Sequence, residues 1–148
     1  MIVDLDAHQG NGHERDHLND PYVYIVDMYN HRIYPGDSEA QEAIGLDLSV
    51  RYDTTDDQYL KTMGQIGKEM DTFQPELVVY NAGTDILDGD PLGACSISPE
   101  GIIRRDEKMV EMCVSRQVPV VMVLSGGYQK SNAKNIADSI ENLVKRFG

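Results

Sequence analysis

Asp4, Asp6 and His8 stand at alternate positions near the start of the chain, and Asp85 closes a second short segment, Asn81-Ala82-Gly83-Thr84-Asp85. Two carboxylates and one imidazole are the ligand set of a catalytic divalent-metal site, which keeps positions open for water and substrate. By ligand type such a trio takes zinc, and Fe(II) is accommodated as well. Each segment follows an apolar run, Met1 to Leu5 or Leu77 to Tyr80, that reads as a buried strand. Side chains alternate along extended backbone, so Asp4, Asp6 and His8 share one side if the strand persists to His8. Gly10, Gly12 and Gly83 then give tight exits at the carboxyl ends of the strands, where open α/β sheets bind ligands. An acid after a strand can instead cap the next helix. The joint occurrence of the two segments is what points to a shared ion.

A third segment, Ser125-Gly126-Gly127-Tyr128, follows the apolar run Val118 to Leu124. Paired glycines there make a turn, and they also let Gly126, Gly127 and the Tyr128 phenol approach a ligand closely. Tyr128 is the good hydrogen-bond donor of that loop for a carbonyl at the metal. A phosphate loop is not indicated, because neither GxxxxGK[ST] nor GxGxxG occurs. His13-Glu14-Arg15-Asp16-His17 matches the HExxH pattern of zinc proteases, which requires a buried helix and a further ligand. Its flanks, Asn11-Gly12 and Leu18-Asn19-Asp20, are polar and short, so the match is expected to be a solvated turn.

These groups need a scaffold. Met1 to Leu5, Val23 to Met28, Leu77 to Tyr80 and Val118 to Leu124 read as strands, with Gly45 to Val50 a weaker candidate. Their apolarity is continuous rather than alternating, as in parallel sheets covered on both faces. Asp56-Asp57 opens a helix with Leu60, Met63, Ile66 and Met70 at helical spacing. Gly64 and Gly67 inside it are expected to pack closely against the sheet. Ser98-Pro99-Glu100 starts a second helix with the stripe Ile102, Ile103, Met109, Val110 and Cys113. A last helix, about Asn132 to Phe147, is expected to bury Ile136, Ile140, Leu143 and Val144. Helix after strand without a repeat period predicts an α/β three-layer sandwich on a mainly parallel sheet, one domain over 1–148.

Composition narrows the partners. A formal net charge of -12 argues against nucleic-acid binding through a basic surface and suits attraction of a lysine-rich substrate. Two cysteines without a CxxC spacing fit a reducing compartment. No apolar stretch approaches the roughly 20 residues of a membrane span. The expected location is nucleus or cytoplasm, although no basic run offers a nuclear address. Met1 leads directly into a strand, which carries the expectation that the chain is the later part of a longer domain.

Ile2 to Gly12, Tyr80 to Leu87 and Ser125 to Gln129, together with Tyr34-Pro35-Gly36-Asp37 and Ser96-Ile97-Ser98-Pro99, resemble the zinc-dependent histone deacetylases, and within them the class IV type. The resemblance spans nearly the whole chain and implies the arginase/deacetylase fold, here its C-terminal portion. It implies hydrolysis of acyl groups from lysine side chains, with acylated peptides or proteins such as histones as partners. Under it Asp6, His8 and Asp85 are the Zn2+ ligands and Tyr128 donates to the acyl oxygen. Asp4 and Asn11 match the positions that orient the two members of a paired histidine. The backbone from Asp4 to His8, with Asp27, resembles a structural potassium site. The paired histidine that supplies the general base is not found among His8, His13, His17 and His31, so a nearly inactive chain is expected. The alternatives are a non-catalytic interaction module and a two-metal hydrolase of guanidino or other amide substrates. The latter would need more acidic ligands than this trio with Asp4 and Asp88.

Overall fold

The computed structural model describes residues 1–148 as one parallel sheet with helices. Its strands are β1 (Ile2–Asp4), β2 (Ile25–Tyr29), β3 (Ile44–Ser49), β4 (Val78–Asn81) and β5 (Val120–Val123). The helices are α1 (Asn11–Asp16), α2 (Asp56–Phe73), α3 (Pro99–Ser115) and α4 (Asn132–Phe147), and a 3-10 turn covers Ala40–Ala43. Strand order is β3-β2-β1-β4-β5, all neighbours parallel. The chain therefore starts in the middle, runs outward to one edge, returns, and runs to the other. That reversal lies between β1 and β4, whose carboxyl ends carry the two acidic segments. All five expected strands form, each with shifted ends, and Gly45 to Val50 is a full strand from Ile44.

Interior strand β2 is buried along its length, so its continuous apolarity follows from cover on both faces. The edge strand β5 is different. Val120 and Met122 pack on the core, while Val121 and Val123 stay exposed, as does Leu124 beyond the strand. Its outer edge has no partner strand. The expectation of two covered faces thus holds for the middle of the sheet and fails at β5.

Helices α2, α3 and α4 pack side by side. Thr55 caps α2, its hydroxyl accepting the Gln58 N–H while the Gln58 side chain accepts the Thr55 N–H. Met63, Ile66 and Met70 bury the apolar face of α2. Gly64 and Gly67 do not pack on the sheet. A side chain at Gly64 would meet open space, and Gly67 lies against Arg116 next to α3. The expected apolar face of α4 holds only in part, Ile136 and Leu143 being half-buried. Asn132 and Ser139 are its buried residues, whereas Ile140 and Val144 are 41% and 64% exposed. Polar groups tie it to α3: Ser139 donates to Asp106 at 2.6 Å and Asn142 to Glu107 at 2.9 Å.

The core encloses one ion pair. Arg105 and Asp106 of α3 are both fully buried and bonded at 2.8 Å from Nε to Oδ1. Tyr80 of β4 donates its hydroxyl to the same carboxylate. Burial disfavours the charged guanidinium, but Asp106 together with Tyr80 and Tyr59 holds the Arg105 pKa above its ordinary value.

Removing side-chain volume from α2 tests this packing. Met63→Ala, at a fully buried position, should cost about 2–5 kcal/mol in urea unfolding, while Val144→Ala should change stability by less than about 0.5 kcal/mol. Equal effects would contradict the observed burial of the two helices.

Candidate metal centre

β1 stops at Asp4, so the extended backbone does not reach His8 as expected. Local chemistry explains the break. Asp4 Oδ1 accepts the Asp6 N–H at 3.1 Å, and Asp6 Oδ1 accepts the His8 N–H at 2.7 Å. Two successive side-chain-to-backbone turns replace the ladder. They nonetheless deliver His8 to the second segment. His8 Nδ1 lies 2.9 Å from Asp85 Oδ2 and 3.9 Å from Asp6 Oδ1. One donor atom each from Asp6, His8 and Asp85 falls within 4.8 Å of the other two.

The surroundings fix these groups. The Ala7 N–H donates to Asp85 Oδ1 at 2.7 Å, and Ser125 Oγ donates to Asp6 Oδ2 at 3.0 Å. Two glycines make the approach possible. A Cβ on Gly83 would lie 2.2 Å from Asp6 Cβ, and one on Gly126 would lie 2.1 Å from Asp85 Oδ2. Burial, then the charge of Asp6, pushes the Asp85 pKa up to about 6, against the Ala7 N–H and His8. Burial and Asp6 likewise raise Asp4 to about 7, although Asn81 donates to it at 2.8 Å. Buried carboxylates with raised pKa values are groups that a cation would stabilise in their ionised form. Two hard oxygens and one imidazole nitrogen therefore fit a divalent ion such as zinc.

Tyr128 stands beside this trio, its ring edge-on to His8 with centroids 6.2 Å apart. Its backbone N–H donates to Asp90 at 2.8 Å. Burial and the charges of Asp85, Asp6 and Asp90 raise its pKa, so the phenol keeps its proton at neutral pH. Gly127, at φ +144, fits against Thr84, whose N–H donates to the Gly126 carbonyl at 2.6 Å. A cavity of about 440 Å3 opens over the trio, bounded by Asp6, His8 and Gln9 on one side and by Tyr34, Pro35, Leu92 and Tyr128 on the other.

Asn11 is directed elsewhere, its amide donating to Asp37 at 3.2 Å. The expectation of a solvated turn at His13 to His17 is overturned. Residues Asn11–Asp16 form α1, and Glu14 is fully buried, accepting from Gln9 Nε2 at 2.6 Å. His13 Nδ1 lies 3.8 Å from Asp4 Oδ2. The segment gains no zinc-protease geometry, because His13 and His17 do not join a common group, whereas Asp4, His13 and Asp27 bring donor atoms within 4.8 Å of one another. Asp27 accepts from the Gly10 N–H at 2.8 Å, and burial beside Asp4 and Glu14 holds its pKa well above the ordinary range. This second acidic group includes Asp4 and Asp27, two of the residues expected at a structural potassium site.

Gln9, Glu14 and Ser125 had no assigned role from sequence. Gln9 ties the loop of Tyr34 to Asp37 to the site, donating to the Asp37 carbonyl at 2.8 Å and accepting its N–H at 2.7 Å. Neighbourhood to His8 and to the paired glycines was the available signal for Gln9 and Ser125. Glu14 had none, because its burial depends on Gln9 and Asp27.

The family described as "Histone deacetylase domain" matches residues 1–144. The chain is 55% identical over 147 residues to "Histone deacetylase 2" of Arabidopsis thaliana, covering 99% of this chain and 38% of that protein. The solved HDA15 HD domain aligns at 26% identity and a TM-score of 0.74, over 97% of this chain and 43% of its own. An acetylpolyamine aminohydrolase from Burkholderia pseudomallei aligns at 20% identity and a TM-score of 0.78, a likeness of fold, over 95% of this chain and 43% of its own. The chain thus spans about two fifths of the length of these relatives.

The raised carboxylates give a signed pH dependence. With a chelator present, folded Asp4, Asp27 and Asp85 retain protons that unfolded carboxylates release near their ordinary value of 3.8. Their stabilising contribution is therefore present below about 4 and is lost as pH rises toward about 7. His13 and the Met1 amine, both lowered by burial, oppose this as two groups against three. The melting temperature should fall between pH 5 and pH 7.5, and added ZnCl2 should raise it more at pH 7.5 than at pH 5. A melting temperature that climbs with pH across that window without zinc would contradict the assignment.

Proposed function

The chain belongs to the histone deacetylase family, and from that premise we propose that it carries the metal-holding half of a lysine deacylase site. The observation that carries the proposal is the meeting of Asp6, His8 and Asp85 beneath a cavity with Tyr128 at its side. Asp6, His8 and Asp85 would hold the Zn2+. When bound, the ion supplies Lewis-acid polarisation of the amide carbonyl and a water of lowered pKa. The remaining steps fall to side chains. Tyr34, Pro35 and Leu92 offer apolar walls that suit the aliphatic stem of an acyl-lysine and keep bulk water away. Tyr128, protonated at neutral pH, donates its hydroxyl to the acyl oxygen as negative charge grows there. Such a donor lowers the barrier by about 2.7–4 kcal/mol. Gly126 and Gly127 allow the close approach of the loop that presents it. Asp4 would keep the orienting role that the resemblance implies toward a paired histidine, Asn11 is committed to Asp37 instead, and Asp4 with Asp27 would contribute to a K+ site.

The proton acceptor is the open part of the arrangement. None of the four histidines is adjacent to another, and His13 faces Asp4. Loss of a general base costs about 10²–10⁴ in rate. The 148-residue chain by itself is accordingly proposed to turn over acylated lysine slowly. The class IV type, histones as substrates and a nuclear or cytoplasmic location belong to the same proposal.

Two measurements test it. Purified chain with one equivalent of Zn2+ should bind the metal, and Asp6→Ala should abolish binding. On an acetyl-lysine peptide, Tyr128→Phe should lower the residual kcat about 10²–10³-fold with unchanged zinc affinity. A Tyr128→Phe variant as active as the unmodified chain would remove the phenol from the mechanism. Turnover at rates ordinary for an enzyme, about 10 s⁻¹, would refute the slow-chain reading.

A further inference from the structure

Arg105 sits on α3, behind the site rather than in it. Its Nη1 donates both to the Leu5 carbonyl at 3.1 Å and to the Gly83 carbonyl at 2.5 Å, and Nη2 donates to the Ala82 carbonyl at 3.1 Å. Leu5 immediately precedes Asp6, and Gly83 stands two residues before Asp85. One guanidinium therefore spans the tips of β1 and β4, the two strands whose exits carry the metal-holding side chains. No backbone N–H reaches the carbonyl of Ala82 or Gly83, so both would be left unpaired without Arg105. Three carbonyl oxygens converging in a buried space also repel one another, and the guanidinium charge offsets that repulsion. Asp106 holds the other side of the fork through Nε. The same two tips are joined again by the buried Ala7 N–H donating to Asp85.

We propose that Arg105 is a positioning residue that sets the spacing of Asp6 and His8 against Asp85 by clamping the carbonyls at the two strand tips. The inference rests on the reading of Asp6, His8 and Asp85 as metal ligands. It goes beyond a folding role, because a buried ion pair by itself contributes little to stability and is often replaced by apolar packing without loss. What apolar packing cannot supply is a planar fork that fixes three acceptors at once. Lysine cannot supply it either, since its donors radiate from one nitrogen.

Co2+ titration of the 148-residue chain, read by its visible absorption well below the melting temperature, tests this. Unmodified chain should bind, and Asp6→Ala should not. Arg105→Lys and Arg105→Met should bind Co2+ about 10–100-fold more weakly, the range for residues that orient ligands from behind, with a changed ligand-field spectrum. Tyr80→Phe and Ser139→Ala loosen Asp106 without touching the carbonyls. They should bind Co2+ like the unmodified chain, even with an equal loss of melting temperature. Arg105→Lys binding within twofold, with an unaltered spectrum, would overturn the inference. So would equal weakening in Tyr80→Phe at matched stability, or an Arg105→Lys chain that no longer folds, since Arg105 would then serve the core alone. Failure of the unmodified chain to bind Co2+ would instead overturn the metal reading on which the inference stands.

Discussion

Negative charge concentrated at the ends of two parallel strands is the constraint around which this molecule is arranged. Asp4, Asp6 and Asp85 lie there, Asp27 stands beside Asp4 on the neighbouring strand β2 with Glu14 close behind, and four of these five are buried. Burial first, and then the like charge of each neighbour, makes ionisation less favourable, which is visible in the raised pKa values of Asp4, Asp27 and Asp85. Such crowding is tolerated because every carboxylate has a local donor: Asn81, the Ala7 and Gly10 N–H groups, Gln9 and Ser125. The donors orient the acids but leave their charge uncancelled. A cation does both.

Positioning is divided between two sides of the same peptide planes. Toward solvent, turns made by Asp4 and Asp6 set the direction of the next residue, and Gly83 and Gly126 let the segments touch. Toward the core, α3 and α2 reach up to the strand tips. Tyr59 donates its hydroxyl to the Leu5 carbonyl at 3.3 Å, alongside Arg105. The site is thereby continuous with the core rather than laid on top of it. A substitution in α3 could alter chemistry without a change in any group that substrate meets.

Much of this was legible from the chain itself. Apolar runs located all five strands, and the ligand trio was readable because acids and glycines recur immediately after two of those runs. Other readings failed for physical reasons that sequence does not display. Asn11–Asp16 looked solvated because its residues are polar; Glu14 is buried through Gln9 and Asp27, partners five positions before it and thirteen after it. The apolar face of α4 was misjudged because a helix at the end of a sheet has less to cover it, and Ser139 reaches Asp106 while Ile140 faces out. Arg105 and Asp106 fall on the same stripe as Ile102 and Met109, at spacings of three and four. A charged pair interrupting an apolar stripe was the one sign of the buried clamp.

The open side of β5 has a consequence of its own. A strand with valines on its free face and an unmatched row of amide and carbonyl groups is a template: any extended segment of suitable pattern can extend the sheet by one more rung. Tyr128 is carried on the loop that leaves this same strand. The phenol therefore projects from the least supported margin of the sheet.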